Sequence, residues 1–158
     1  RIAERNDWRI DVNGAGSWEM RIRIPSWTAG AEIAINDEKM QGIGAATGTY
    51  ASISRTWNRG DRVVVRLPMR LRTMPANDRP SLAAVAYGPV VLSGNYGSST
   101  LSSTPTLRLD SLRRIKEDGL SFAATANGQT VSLEPFYEAH GINYNVYWTT
   151  SGQLPGDA

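Results

Sequence analysis

Apolar and polar residues alternate with a period of two through most of this chain, and no other feature constrains the fold as strongly. In "WRIDV" the residues Trp8, Ile10 and Val12 share one face, with Arg9 and Asp11 on the other. "SWEMRIRI" sets Trp18, Met20, Ile22 and Ile24 against Glu19, Arg21 and Arg23. Asn13-Gly14 between them is a strong turn signal, so the two runs are expected to pair as a hairpin with one buried face. "AEIAIN" carries Ile33 and Ile35 into the turn "NDEK", and "GTYASIS" presents Tyr50 and Ile53. "RTWNRGD" takes Trp57 into a Gly60-Asp61 turn, and "DRVVVRLP" alternates Val63, Val65 and Leu67 before Pro68 ends it.

"RLRTMP" reads as a further short strand. "LAAVAYGPVVLSG" has no charge from Leu82 to Gly94, which suits a strand covered on both faces, bent or broken at Gly88-Pro89. The Ser/Thr/Gly-rich stretch 93–106 reads as a loop or linker. "LDSLRRIKEDG" is the one stretch with helical character, with Asp110 or Ser111 as N-cap and Gly119 past its end. "LSFAATANGQTVSLEPF" predicts two strands about the turn Asn127-Gly128, and "NYNVYWTT" a closing strand with Tyr144, Val146 and Trp148 on one side.

Many short strands punctuated by Gly, Pro and Asn predict an all-β protein, an antiparallel β-sandwich of jelly-roll-like form. The expected organisation is a β-sandwich domain over 1–92, a loop or linker over 93–106, and a second, smaller β segment over 107–150. That segment either forms its own small sandwich or completes the first, and 151–158 is a tail.

Composition narrows the chemistry. The 158 residues include 17 basic and 15 acidic ones, a net charge of +2, with no basic run interleaved with aromatics. A nucleic-acid partner is not expected. No cysteine and a single histidine, His140, exclude disulfides, thiolate nucleophiles and Cys-rich zinc sites, and disfavour a Ser-His-Asp triad. No apolar run approaches the roughly 20 residues of a membrane-spanning helix, and a membrane partner is not expected. The opening "RIAERNDW", with neither an initiator Met nor a signal peptide, reads as a piece of a longer protein.

Three segments in order carry a family resemblance: "MRIRIPSWTAGAEIAIND", then "GTYASISRTWNRGDRVVVRLPM" with "AAVAYGPVVL", and "VSLEPFYEAHGINYNVYW". They resemble the region downstream of the catalytic barrel in the glycoside hydrolase family 127 type of β-L-arabinofuranosidase. Arg23-Ile24-Pro25-Ser26-Trp27, Tyr50, Arg55, Trp57, Gly60-Asp61, Leu67-Pro68-Met69, Gly88-Pro89, Pro135-Phe136-Tyr137 and Tyr147-Trp148 fit the family pattern. The resemblance implies that catalysis belongs to an (α/α)6 barrel with a glutamate acid/base and a zinc-bound cysteine, none of which this stretch contains. It implies a non-catalytic accessory region that supports the barrel of its parent chain or its oligomer contacts, in a secreted or extracellular protein. No cofactor is expected.

The alternative is a carbohydrate-binding module for plant or microbial polysaccharide. Such sites stack the C–H face of a sugar on exposed Trp or Tyr while polar neighbours take its hydroxyls. Trp57, among Arg55, Asn58, Arg59 and Asp61, is one candidate. The loop "EPFYEAHGINY" offers Tyr137, Glu138, His140, Asn143 and Tyr144. Trp27, beside Ser26, Thr28 and Glu32, is the third. The competing reading makes Trp27 and Trp57 plugs of the core and the loop a docking turn; Trp27 in particular sits where Pro25 ends a strand. Trp8, Trp18 and Trp148 are in phase with buried faces and are expected in the core. Glu134 and Glu138 flank "PFY", but nothing in their spacing fixes the pair of carboxyls, about 5–9.5 Å apart, that a glycosidase needs. "NDEK" and "KEDG" supply oxygens without the ligand spacing of a calcium loop, and a metal site stays unassigned.

Overall fold

The computed structural model describes residues 6–41, 46–115 and 119–156. The chain divides between Arg70 and Leu71 into two compact units. In the first, β1 (Asn6–Asp11), β6 (Arg62–Leu67), β3 (Glu32–Ile35) and β4 (Glu38–Lys39) form one antiparallel sheet in the order β1-β6-β3-β4, while β2 (Gly16–Arg23) and β5 (Tyr50–Trp57) form another. Side chains from both sheets enter one core: Val12 and Ile33 from or beside the first, Ile22 and Trp57 from the second. The alternation read from the sequence sets these faces, for Val63, Val65 and Leu67 are all buried because inward positions recur every second residue.

The expected hairpin of "WRIDV" with "SWEMRIRI" does not form. β1 pairs with β6 and β2 with β5, in separate sheets. A two-residue hairpin turn of the favoured kind needs left-handed backbone at its centre, and Asn13 and Gly14 do not adopt it, whereas Asn36 (φ 51°) and Asp37 (φ 68°) do so between β3 and β4. Backbone bonds of 2.8 Å from Val12 N to Asp61 O and from Gly60 N to Val12 O extend the pairing with the β6 side. The chain then crosses to the opposite sheet, and both apolar faces still reach the common core. "GTYASIS" and "RTW" are parts of one strand, β5.

The second unit holds β7 (Leu71–Pro75), β8 (Leu82–Tyr87), β9 (Val90–Asn95), β10 (Thr106–Arg114), β11 (Phe122–Ala126), β12 (Gln129–Pro135), a 3-10 turn (Phe136–Glu138), β13 (Tyr144–Asn145) and β14 (Tyr147–Ser151). Strands β9-β12-β11-β10-β14-β8 close on themselves through a β8–β9 pairing, making a six-stranded barrel, with β7 and β13 attached outside the ring. The all-β class is met, but a closed barrel stands where a jelly-roll-like sandwich is expected. The strands of 82–95 belong to this barrel rather than to a first domain ending at Leu92, because besides each other and β7 their partners are β12, β13 and β14. The segment 107–150 therefore completes a unit that begins at Leu71.

Two further expectations change. The helical stretch is strand β10 as far as Arg114; residues 116–118 of it lie outside the described residues. Leu107, Leu109 and Leu112 are all buried, and the three-residue step that imitates a helix is a bulge: the register with β11 shifts between Arg108 and Arg113. The Ser111 hydroxyl stitches that bulge, donating to Arg108 O (2.6 Å) and accepting from Thr125 N (2.8 Å). "NYNVYWTT" is likewise two strands, since β13 pairs with β9 and β14 with β8 and β10.

Trp148, fully buried, lies against β9 at Gly94, where a Cβ would sit 2.7 Å from the indole Cζ2. The ring has nowhere to retreat inside a packed barrel. Gly94→Ala is expected to destabilise the second unit by about 1–3 kcal/mol, read from its denaturant midpoint; an unchanged midpoint would show that the indole does not rest on β9.

Candidate functional site

The candidate residues separate into two groups, one in each unit. Trp57, at the end of β5, is wholly buried. Its indole nitrogen donates to Trp18 O (3.1 Å), the Trp18 ring stacks on it at 5.9 Å between centroids, and the Arg55 guanidinium lies 5.2 Å from its ring centre. It presents no face to a sugar. Trp18 and Trp8, expected in the core, are instead 39% and 44% exposed. Trp8 lies within β1, opposite Val65 of β6, and stays partly in solvent, while Trp18 stacks on Trp57 and leaves the rest of its ring to solvent.

A polar hub adjoins Trp57. The Asp61 carboxylate accepts from Asn58 N (2.9 Å) and Asn36 Nδ2 (2.9 Å), with Arg55 Nη2 at 3.8 Å, and Asn36 Oδ1 in turn accepts from Arg62 N (2.9 Å). These donors favour the ionised form: the Asn58 backbone bond first, then Asn36, hold the Asp61 carboxyl below its usual range against the opposing effect of burial, with Arg55 adding a smaller pull. Nothing in the pattern "NRGD" announced this hub, since its partner Asn36 lies 25 residues away.

Trp27 is half-buried and packs on the core of the first unit, the plug that its position after Pro25 suggested. The neighbouring Thr28 is fully buried, its hydroxyl 2.6 Å from Gly30 O and 2.8 Å from Pro68 O. The Pro-Ser-Trp corner is thereby fastened to the "LPM" segment.

In the second unit, Tyr137, Glu138, His140, Asn143 and Tyr144 all lie at the surface. Tyr137 and Glu138 belong to the 3-10 turn and Tyr144 opens β13. Tyr144 meets Phe136 edge-on at 5.3 Å and 68°, and Phe136, Tyr137 and Tyr144 are each close to half exposed. Partial desolvation, and secondarily the Glu138 charge, raise the Tyr137 hydroxyl above its usual range. Asn143 serves the backbone: its amide N donates to Gly97 O (2.8 Å), its carbonyl accepts from Tyr96 N (2.9 Å), and its Nδ2 donates to Ser99 O (3.0 Å). The Ser/Thr/Gly stretch read as a linker is thus pinned to this loop. Phe136, not among the candidates, completes the exposed ring cluster; the "PFY" sequence was the available signal. Among the described residues no three His, Asp or Glu side chains gather as a metal set.

Residues 2–69 match the family described as the middle domain of GH127 β-L-arabinofuranosidases. That match spans 68 of the 158 residues, all of them in the first unit. Three solved structures share this chain's fold. A GH127 β-L-arabinofuranosidase from Geobacillus stearothermophilus T6 matches with a TM-score of 0.72 at 21% identity, over 92% of this chain and 28% of the other. A protein described as a glycoside hydrolase matches with a TM-score of 0.72 at 18% identity, over 96% and 31%. A GH127 β-arabinofuranosidase matches with a TM-score of 0.68 at 18% identity, over 98% and 32%. This chain thus spans under one third of the length of these structures. No curated protein sequence matches.

Two expectations follow. Trp57→Ala should cost the first unit about 3–5 kcal/mol, and Tyr137→Ala should stay within about 0.5 kcal/mol of the parent; comparable losses from both in chemical denaturation would contradict the assignment of Trp57 to the core. Asp61 has a lowered pKa when folded, so its contribution is present above the unfolded carboxyl's pKa and lost as pH falls through the folded value. Asp61→Asn should therefore flatten the acid limb of the melting temperature against pH, and an unaltered limb would remove Asp61 from the account.

Proposed function

We propose that this chain is a non-catalytic accessory region of a larger GH127-type glycoside hydrolase, holding the catalytic barrel or a subunit contact in place. The observation that carries this reading is the GH127 middle-domain match over residues 2–69. The likeness of fold over more than nine-tenths of the chain, covering under one third of much longer proteins, supports it. The chemistry of the first unit points the same way. Its side-chain network, Asp61 with Asn36, Asn58 and Arg55 around Trp57, ties two turns to a buried ring, which is a structural arrangement.

A second reading draws on one observation, the half-exposed rings Phe136, Tyr137 and Tyr144 beside Glu138 and His140. That surface has the composition of a sugar-stacking platform. In the accessory reading the same rings are covered by another part of the parent.

Deletion of this region from the parent separates the two. The accessory role predicts that the remaining protein loses most of its soluble, active fraction on aryl arabinofuranosides, and that the region alone turns over none. A truncated parent with full activity on aryl substrates, but reduced binding to insoluble polysaccharide that Tyr137→Ala reproduces, would favour the platform instead.

A further inference from the structure

The chain contains two Asn-Gly pairs, Asn13-Gly14 and Asn127-Gly128, and the fold treats them oppositely. Asn127 (φ 49°) and Gly128 (φ 77°) form the left-handed centre of the β11–β12 hairpin. The Asn127 amide is tied down twice: Oδ1 accepts from Thr106 N (2.9 Å), and its backbone N donates to Thr106 O (3.1 Å). Asn13 has neither restraint. It is exposed, it is outside the left-handed region, and among the described residues its side chain makes no hydrogen bond. Its one tie is through the main chain, where Arg59 Nε donates to Asn13 O (3.1 Å). Gly14 is also exposed, with open space where a Cβ would project.

We propose that Asn13 is a site of spontaneous deamidation, from which the hairpin geometry protects Asn127. Hydroxide removes the Gly14 amide proton, and the nitrogen attacks Asn13 Cγ, unobstructed by any side chain on the glycine. In the tetrahedral adduct Nδ2 takes a proton from water, returning hydroxide, and leaves as ammonia while the Cγ oxyanion re-forms the carbonyl of a five-membered succinimide. Water then opens the ring at one of its two carbonyls. One opening gives aspartate; the other gives an isoaspartyl linkage in which the main chain runs through the former side-chain carbon. The net change is water in and ammonia out. At Asn127 the same attack requires both Thr106 bonds to break and the residue to leave its turn, which slows it roughly 30-fold.

The consequence falls on the crossing between β1 and β2. The isoaspartyl product lengthens the main chain beside Val12, whose bonds to Gly60 and Asp61 hold β1 to the β6 side, and adds a carboxylate close to Arg59.

Incubation of the native chain at mildly alkaline pH, followed by tryptic digestion and mass spectrometry, reads the conversion at each asparagine. Asn13 is expected to convert roughly 30-fold faster than Asn127, with the two rates converging in concentrated urea. Gly14→Ala, which the open space tolerates, is expected to suppress conversion at Asn13 and leave Asn127 unchanged. Equal rates in the native chain, conversion at Asn127 first, or no conversion at Asn13 would each overturn the proposal.

Discussion

Burial of one whole indole in each unit is the constraint around which the rest is arranged. A tryptophan brings a large apolar surface and a donor that needs a partner. The first unit meets both demands at Trp57, whose N–H goes to Trp18 O while Trp18 and Arg55 cover its ring. The second meets the volume demand at Trp148 by leaving position 94 without a side chain. An indole used in this way is not available to a ligand, and so the interior fixes which aromatics can act at the surface.

Polar ties secure the points where the strands depart from simple hairpins. Asp61 and Asn36 join two turns of the first unit, and Thr28 binds the corner after Pro25 to Pro68. In the second unit Ser111 stabilises the bulge in β10, and Asn143 anchors a loop otherwise rich in flexible residues. Each satisfies backbone groups that leave the ladder, which is where unpaired groups are costly. These ties, rather than additional apolar contacts, convert alternating strands into a particular sandwich and a particular barrel.

How much of this was legible depends on the range of the interaction. Val63, Val65 and Leu67 were readable because the pleat alone sets their direction. The turns at Asn36-Asp37 and Asn127-Gly128 were readable because their backbone conformations are local. The hairpin expected at Asn13-Gly14 failed because β6, some 50 residues on, takes the edge of β1. The helix expected after Leu109 failed because a bulge reproduces a helical spacing of leucines. Asp61 and Asn143 were invisible as ties, and Trp18 was misplaced, because their partners come together only on folding. The boundary at Leu92 was misplaced for the same reason: the apolar run 82–94 finds its partners downstream.

The same argument reorders the candidate site. Trp57 supports the core, Trp27 packs against it, and Asn143 holds a loop, so among the candidate aromatics Tyr137 and Tyr144 are the ones that keep half-exposed rings. The most direct test is hydrogen exchange of the indole N–H groups in the isolated chain, followed by NMR. The account predicts that Trp57 and Trp148 exchange far more slowly than the exposed Trp8 and Trp18. Exchange at Trp57 as fast as at Trp8 would put that ring at the surface and contradict the account.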